Sequence, residues 1–155
     1  MRWSYRDPTL LWLLAAAFLV HVTEEWLGGF PQWLARIVSR PLPDDAFFIL
    51  NGVVLALIVA GIRAAARDQS NGWIAVTIAT IALVNTAAHI AGAILVRGYA
   101  PGLISAVILY VPLGALTMIR AFDQAPRAQL SRGIAAGLLL HAALFPIVFA
   151  VITWS

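Results

Sequence analysis

The chain has 155 residues, 62% of them hydrophobic and only 11% charged, with a mean hydropathy of +0.90. Soluble domains are about half apolar and about a quarter charged, so the composition excludes an ordinary soluble domain and leaves a single-domain integral membrane protein. The formal net charge of +3 gives no case for nucleic acid, and zero cysteines exclude disulfides, thiolate metal sites and a cysteine nucleophile.

Crossing a hydrocarbon core of about 30 Å takes roughly 20 apolar residues. Segments at about 8–27, 46–65, 73–96, 102–121 and 131–153 meet that requirement. The expected fold class is therefore all-α, a five-transmembrane-helix bundle in one domain over 1–155. Pro8 suits the first turn of the first span, and Gly28-Gly29 followed by Pro31 ends it. No small-residue cleavage site follows its apolar run, which reads as a retained helix rather than a signal peptide. The connection PQWLARIVSRPLPDD (Pro31 to Asp45) places Trp33, Leu34, Ile37 and Val38 at helical spacing against Gln32, Arg36 and Ser39. It reads either as a short interfacial helix or as a structured loop. Asp44 and Asp45 offer N-caps for the second span. DQSNG, RGYAPG and DQAPRAQLS separate the remaining ones.

All ten basic residues are arginine, and they gather at span ends, where they would anchor against lipid phosphates. Arg2, Arg6, Arg63, Arg67, Arg120, Arg127 and Arg132 fall on the side holding the N-terminus; only Arg36, Arg40 and Arg97 fall on the other. This asymmetry predicts a cytoplasmic N-terminus and an outside C-terminus. The Ala- and Arg-rich composition points to a GC-rich bacterial genome, hence to the bacterial inner (cytoplasmic) membrane. Membrane lipids are the expected surroundings, and nothing in the sequence opposes a homo-oligomer. The tryptophans, from Trp3 to Trp154, read mostly as interface anchors, with Trp26 able to border a site.

The histidines all lie inside spans: His21 in the first, His89 in the third, His141 in the fifth. Glu24 and Glu25 are the acidic residues furthest from loops, Asn85 precedes His89 by one turn, and Asn51 starts the second span. Ionisable groups cost several kcal/mol in hydrocarbon, so they normally face the bundle interior and mark function. With the N-terminus inside, His21 and Glu24 lie about 5–10 Å from the outer end of their helix at about 1.5 Å per residue. His89 and Asn51 lie at similar depth, and Asn85 and His141 slightly deeper. At about 100° per residue, Glu24 sits about 60° to one side of His21 and Glu25 about 40° to the other. Gly133, Gly137 and His141 form one stripe at steps of four, and small residues so spaced let helices approach closely. The quieter readings are a water-exposed interface for Glu24 and Glu25, packing for His141, and interhelical hydrogen bonding for Asn51 and Asn85.

HVTEE on the first span, NTAAH (Asn85 to His89) on the third and a histidine on the last resemble the HXXEE-motif family of small bacterial membrane proteins, as does RGYAPG. The resemblance covers nearly the whole chain and carries over His21, Glu24, Glu25, Asn85, His89 and His141. It implies a membrane-bound enzyme and supplies no substrate.

Three imidazoles and a carboxylate suit a divalent ion of the zinc type. The leading expectation assigns His21, His89, His141 and one of Glu24 or Glu25, with Glu24 favoured, as metal ligands. Glu25 is then a general base or a partner behind the ligands, and Asn85 orients a ligand or polarises the substrate. Metal-bound water would attack an ester, amide or phosphoester bond of a lipid or other small apolar substrate. HxxEE differs from the HExxH pattern of zinc proteases, and a di-iron centre would need about four carboxylates. The runner-up is a metal-free acid/base isomerase or cyclase acting on an isoprenoid-like lipid. A third class is non-enzymatic: a haem protein without a CxxCH motif, or an ion or proton carrier.

Overall fold

In the computed structural model, residues 4–154 are described; Arg2 and Trp3, read above as a charge marker and an anchor, lie outside them. Helix α1 runs Pro8–Leu27. Asp7 caps it, its carboxylate accepting from Thr9 N at 2.9 Å, and Gly29 at φ 71° reverses the chain. The following segment is helical though too short to span a membrane: α2 covers the nine residues Phe30–Val38. Helix α3 is Asp44–Arg67, α4 is Gly72–Leu95, α5 is Leu103–Gln124 and α6 is Arg127–Trp154. No strand occurs among the described residues. Helices α1, α3, α4, α5 and α6 are long and apolar enough to cross a membrane, as expected of a membrane protein.

Local chemistry moves some ends from their expected places. Pro43, not an aspartate, holds the N-cap position of α3, and Asp44 and Asp45 lie in its first turn, where negative charge suits the positive helix end. Helix α6 starts at Arg127, because the Pro126 carbonyl accepts from Gln129 N at 2.9 Å and Leu130 N at 3.0 Å. Hydropathy misses such a polar first turn. Within α5, Ala106–Tyr110 forms a π-helical turn.

Helix α4 is the central post: half of its most apolar stretch is buried, against 11% for α3 and for α6. Its small residues explain this. A Cβ added at Gly133 would lie 2.5 Å from Trp73 O, and one at Gly137 would lie 2.6 Å from Thr80 Cβ. The predicted glycine stripe of α6 is thus seated on α4, and the two helices run parallel. Thr77 Oγ1 donates to Trp73 O at 3.0 Å and lies 3.2 Å from Gly133 O. Thr86 Oγ1, likewise bonded within α4, reaches Ala106 O of α5 at 3.4 Å. These hydroxyls satisfy themselves on carbonyls one turn back, so buried threonines cost α4 little.

Helix α2 is fastened inward rather than floating on a surface. Trp33 is buried, its ring 2.5 Å from where a Cβ on Gly92 would stand. It stacks on Phe30 at 5.6 Å between centroids. Trp33 is therefore a packing residue of the bundle and not the interface anchor its type predicts.

Candidate metal centre

Where α1 and α4 end and α5 begins, His21, Glu25 and His89 meet. Glu25 Oε1 lies 3.5 Å from His21 Nε2 and 3.3 Å from His89 Nε2. One ligand-type atom from each residue falls within 4.8 Å of the others. All are buried: His21 is 2% exposed, His89 5% and Glu25 6%. His21 and Glu25 share a face because they are one helical turn apart, and α4 brings His89 edge-on to His21 at 4.9 Å between centroids.

The start of α5 closes the site from beneath. Gly102 has φ +95°, and a Cβ on it would stand 2.7 Å from His21 Cε1, 2.8 Å from His89 Cε1 and 2.9 Å from Glu25 Cγ. Only glycine fits there, on backbone conformation and on space alike. Ser105 Oγ donates to Gly102 O at 3.2 Å and lies 3.0 Å from His21 Nδ1. With its proton spent on the carbonyl, Ser105 accepts from His21 Nδ1–H. This hydrogen assignment follows from the bonding pattern and turns the bare Nε2 lone pair toward Glu25. Tyr110, one π-turn beyond Ser105, lies against the His21 ring at 4.8 Å.

The two glutamates of the motif part company. Glu24 points away from the cluster and receives the first amides of α5, Ile104 N at 3.0 Å and Ser105 N at 2.6 Å. It also accepts from the Tyr99 hydroxyl. Burial and the adjoining Glu24 carboxylate push the Tyr99 phenol up to about 12, so Tyr99 remains a donor at any physiological pH. A carboxylate with three donors at a helix start is a structural clamp. It is Glu25, and not Glu24, that the structure sets between the imidazoles. His141, Asn85 and Asn51 stand outside the three-residue group, but all line the adjoining cavity. Asn51 donates to Phe47 O at 3.0 Å. Trp26 stacks on Phe47 and Phe48 instead of bordering the site.

That cavity has a volume of about 770 Å³ and lies between α1, α2, α3, α4 and α6. Its wall is mostly carbon, and the cluster forms one end of it. The donor set suits a metal. Bonds of about 2.05 Å at a tetrahedral angle put neighbouring ligand atoms about 3.3–3.4 Å apart, close to the two carboxylate–imidazole separations of Glu25. Charge-assisted N–H···O bonds would be shorter, about 2.7–2.9 Å.

A family model described as "Protein of unknown function with HXXEE motif" matches residues 12–117. The chain belongs to this HXXEE family. None of the curated proteins and none of the solved structures matches it. The matched stretch contains the whole cluster together with Gly102 and Ser105, and it ends before His141. In this HXXEE protein the motif's histidine and second glutamate meet in the cluster, while its first glutamate serves α5. Gly102, Ser105 and Tyr110 carry no signal that singles them out as site residues; RGYAPG marks Gly102 only as a turn.

Proposed function

We propose that this HXXEE protein is a membrane-embedded, metal-dependent enzyme, hydrolase-like, acting on a lipid or other apolar substrate. His21 Nε2, His89 Nε2 and Glu25 Oε1 would hold one divalent ion, with zinc the best fit. The observation carrying the reading is the convergence of those three atoms, within 4.8 Å, at the end of an apolar cavity. Two histidines and one glutamate leave a coordination position open, as catalytic zinc sites do. A bound ion supplies polarisation of a carbonyl or phosphoryl oxygen and a water acidic enough to ionise near neutral pH.

The chain's own groups complete the assignment. Ser105 holds the His21 tautomer, Gly102 lets the ligands close together, and the apolar lining excludes bulk water. His141 and Asn85, on neighbouring helices along the wall, take the roles of proton carrier and substrate hydrogen-bonding group. Glu25 thereby moves from base to ligand, and Glu24 from ligand to clamp. Elemental analysis of the purified protein is the test. About one equivalent of zinc, iron, manganese or cobalt per chain is expected, falling to background in His89→Ala. Wild-type protein without stoichiometric metal would overturn this reading. The same cluster would then serve the acid–base isomerase or cyclase chemistry, for which a carboxylate between two buried imidazoles is also suited.

The arginine distribution supports a cytoplasmic N-terminus in a bacterial inner membrane, which sets the cluster in the outer half of the bilayer. Because the chain has no cysteine, single replacements report topology cleanly. In intact cells a membrane-impermeant maleimide is expected to label Gly98→Cys and to spare Ser70→Cys until the membrane is permeabilised. The reverse pattern would invert the orientation.

A further inference from the structure

We infer that the cavity takes an uncharged, single-chain amphiphile whose one hydrogen-bonding end, a hydroxyl or carbonyl, is buried beside Asn85 and the His21–Glu25–His89 cluster. This names the substrate class of the proposed site and rests on that reading for the ligand's being a substrate.

Charge is the first argument. Glu25 is the one carboxylate lining the cavity, and none of the described arginines lines it, although the chain has ten. Sites built for phosphate or carboxylate set arginine or lysine against the anion. Here a charged headgroup would leave water for an apolar wall with no basic side chain, and the only positive charge on offer, that of the proposed ion, is already offset in part by Glu25.

Unmet hydrogen bonds are the second. Asn85 Oδ1, His89 Nδ1, His141 Nδ1 and Trp33 Nε1 are buried without a hydrogen-bond partner among the described residues. All four residues line this cavity. Buried polar atoms are normally paired, and exceptions ask for an explanation. Asn85 and His89 are one turn apart on α4, and α6 brings His141 from the parallel neighbour. An indole N–H only donates and an amide oxygen only accepts. A hydroxyl does both, and a carbonyl answers the donors. Apart from Asn51, whose amide is bonded to Phe47 O, and Tyr110 beside His21, the rest of the wall, with Phe18, Leu50, Val54 and Phe149 along it, offers a hydrocarbon chain apolar contact. The volume, about 770 Å³, lies within the range of about 300–1,000 Å³ typical of small-molecule sites.

The test is equilibrium binding of radiolabelled hexadecanol to the full chain in zwitterionic lipid nanodiscs, with unlabelled competitors of equal chain length. Hexadecanal, which can accept from the indole and imidazole N–H groups but cannot donate to Asn85 Oδ1, is expected to fall between hexadecanol and hexadecane. Hexadecane and hexadecyl phosphate are expected to be about tenfold weaker than hexadecanol or more, the ratio one buried hydrogen bond supplies. Asn85→Leu is expected to bring hexadecanol down to the level of hexadecane while hexadecane itself binds as before. That unchanged arm shows that the variant is folded. Hexadecyl phosphate or hexadecanoate competing as well as hexadecanol would overturn the inference, as would hexadecane doing so. Repeating the series after dialysis against a chelator separates the two readings. Alcohol preference without any metal in the wild type sinks the metal and keeps the ligand class; stoichiometric metal with anion preference does the opposite.

Discussion

Gly102→Ala is expected to abolish the proposed metal binding and to lower the protein's stability by about 2–4 kcal/mol, from a left-handed non-glycine residue plus forced overpacking. The added methyl would meet His21, His89 and Glu25 together, each at less than 3 Å. No single rotamer change relieves three contacts, so α5 would have to withdraw, carrying Ser105 and its bond to His21 with it. Gly98→Ala is the matched control: the nearest atom to a Cβ there is Val96 O at 3.9 Å. It is expected to leave both metal content and melting temperature unchanged. Elemental analysis and thermal unfolding in one detergent read both effects. Full metal retention in Gly102→Ala would show that the tight floor is irrelevant to the site.

The second large effect separates the adjacent glutamates. Glu25→Gln removes the proposed anionic ligand and is expected to weaken metal binding at least about hundredfold, the upper end of what even supporting residues cause. Glu24→Gln is expected to retain the metal and to cost about 1–2 kcal/mol of stability, a value reduced for its partial exposure. All three groups facing Glu24 are donors: Tyr99, Ile104 N and Ser105 N. A glutamine NH₂ would oppose one of them whichever way it turned. Metal content and melting temperature should therefore move in different variants. If Glu24→Gln emptied the site while Glu25→Gln kept it, the roles read from sequence alone would be restored.

Why the sequence reading favours Glu24 as the ligand, the reverse of the roles proposed from the structure, is a matter of geometry. Both glutamates flank His21 within one arc of α1, and the helix alone does not say which flank meets α4 and which meets α5. The neighbours decide, and they lie about 65 and 80 positions further on. The spans were legible because a run of about 20 apolar residues has few other uses, and the Gly133–Gly137 stripe because close approach needs small side chains. Trp33 was misread for a physical reason as well. An amphipathic pattern reports that one side prefers a non-aqueous medium, and a protein cavity and a bilayer satisfy that equally. Ser105 and Gly102 look like ordinary turn and helix-start residues until the loop is seen to pass under the cluster.

The wide turn at Ala106–Tyr110 has a consequence for how such a site arises. Residues five apart in an α-helix point about 140° away from each other, whereas an i→i+5 turn stacks them on nearly the same side. Ser105 and Tyr110 both face His21 because of it. The turn is equivalent to one inserted residue, accommodated without breaking the helix. Were the same residues wound as a regular α-helix, α5 would still cross the bilayer, but Tyr110 would swing away from the Ser105 side and the imidazole would lose one of its two neighbours on that helix. Deleting one position between them would instead bring the two residues to i, i+4 spacing, about 40° apart, so the inserted residue can be lost without moving either side chain off the imidazole.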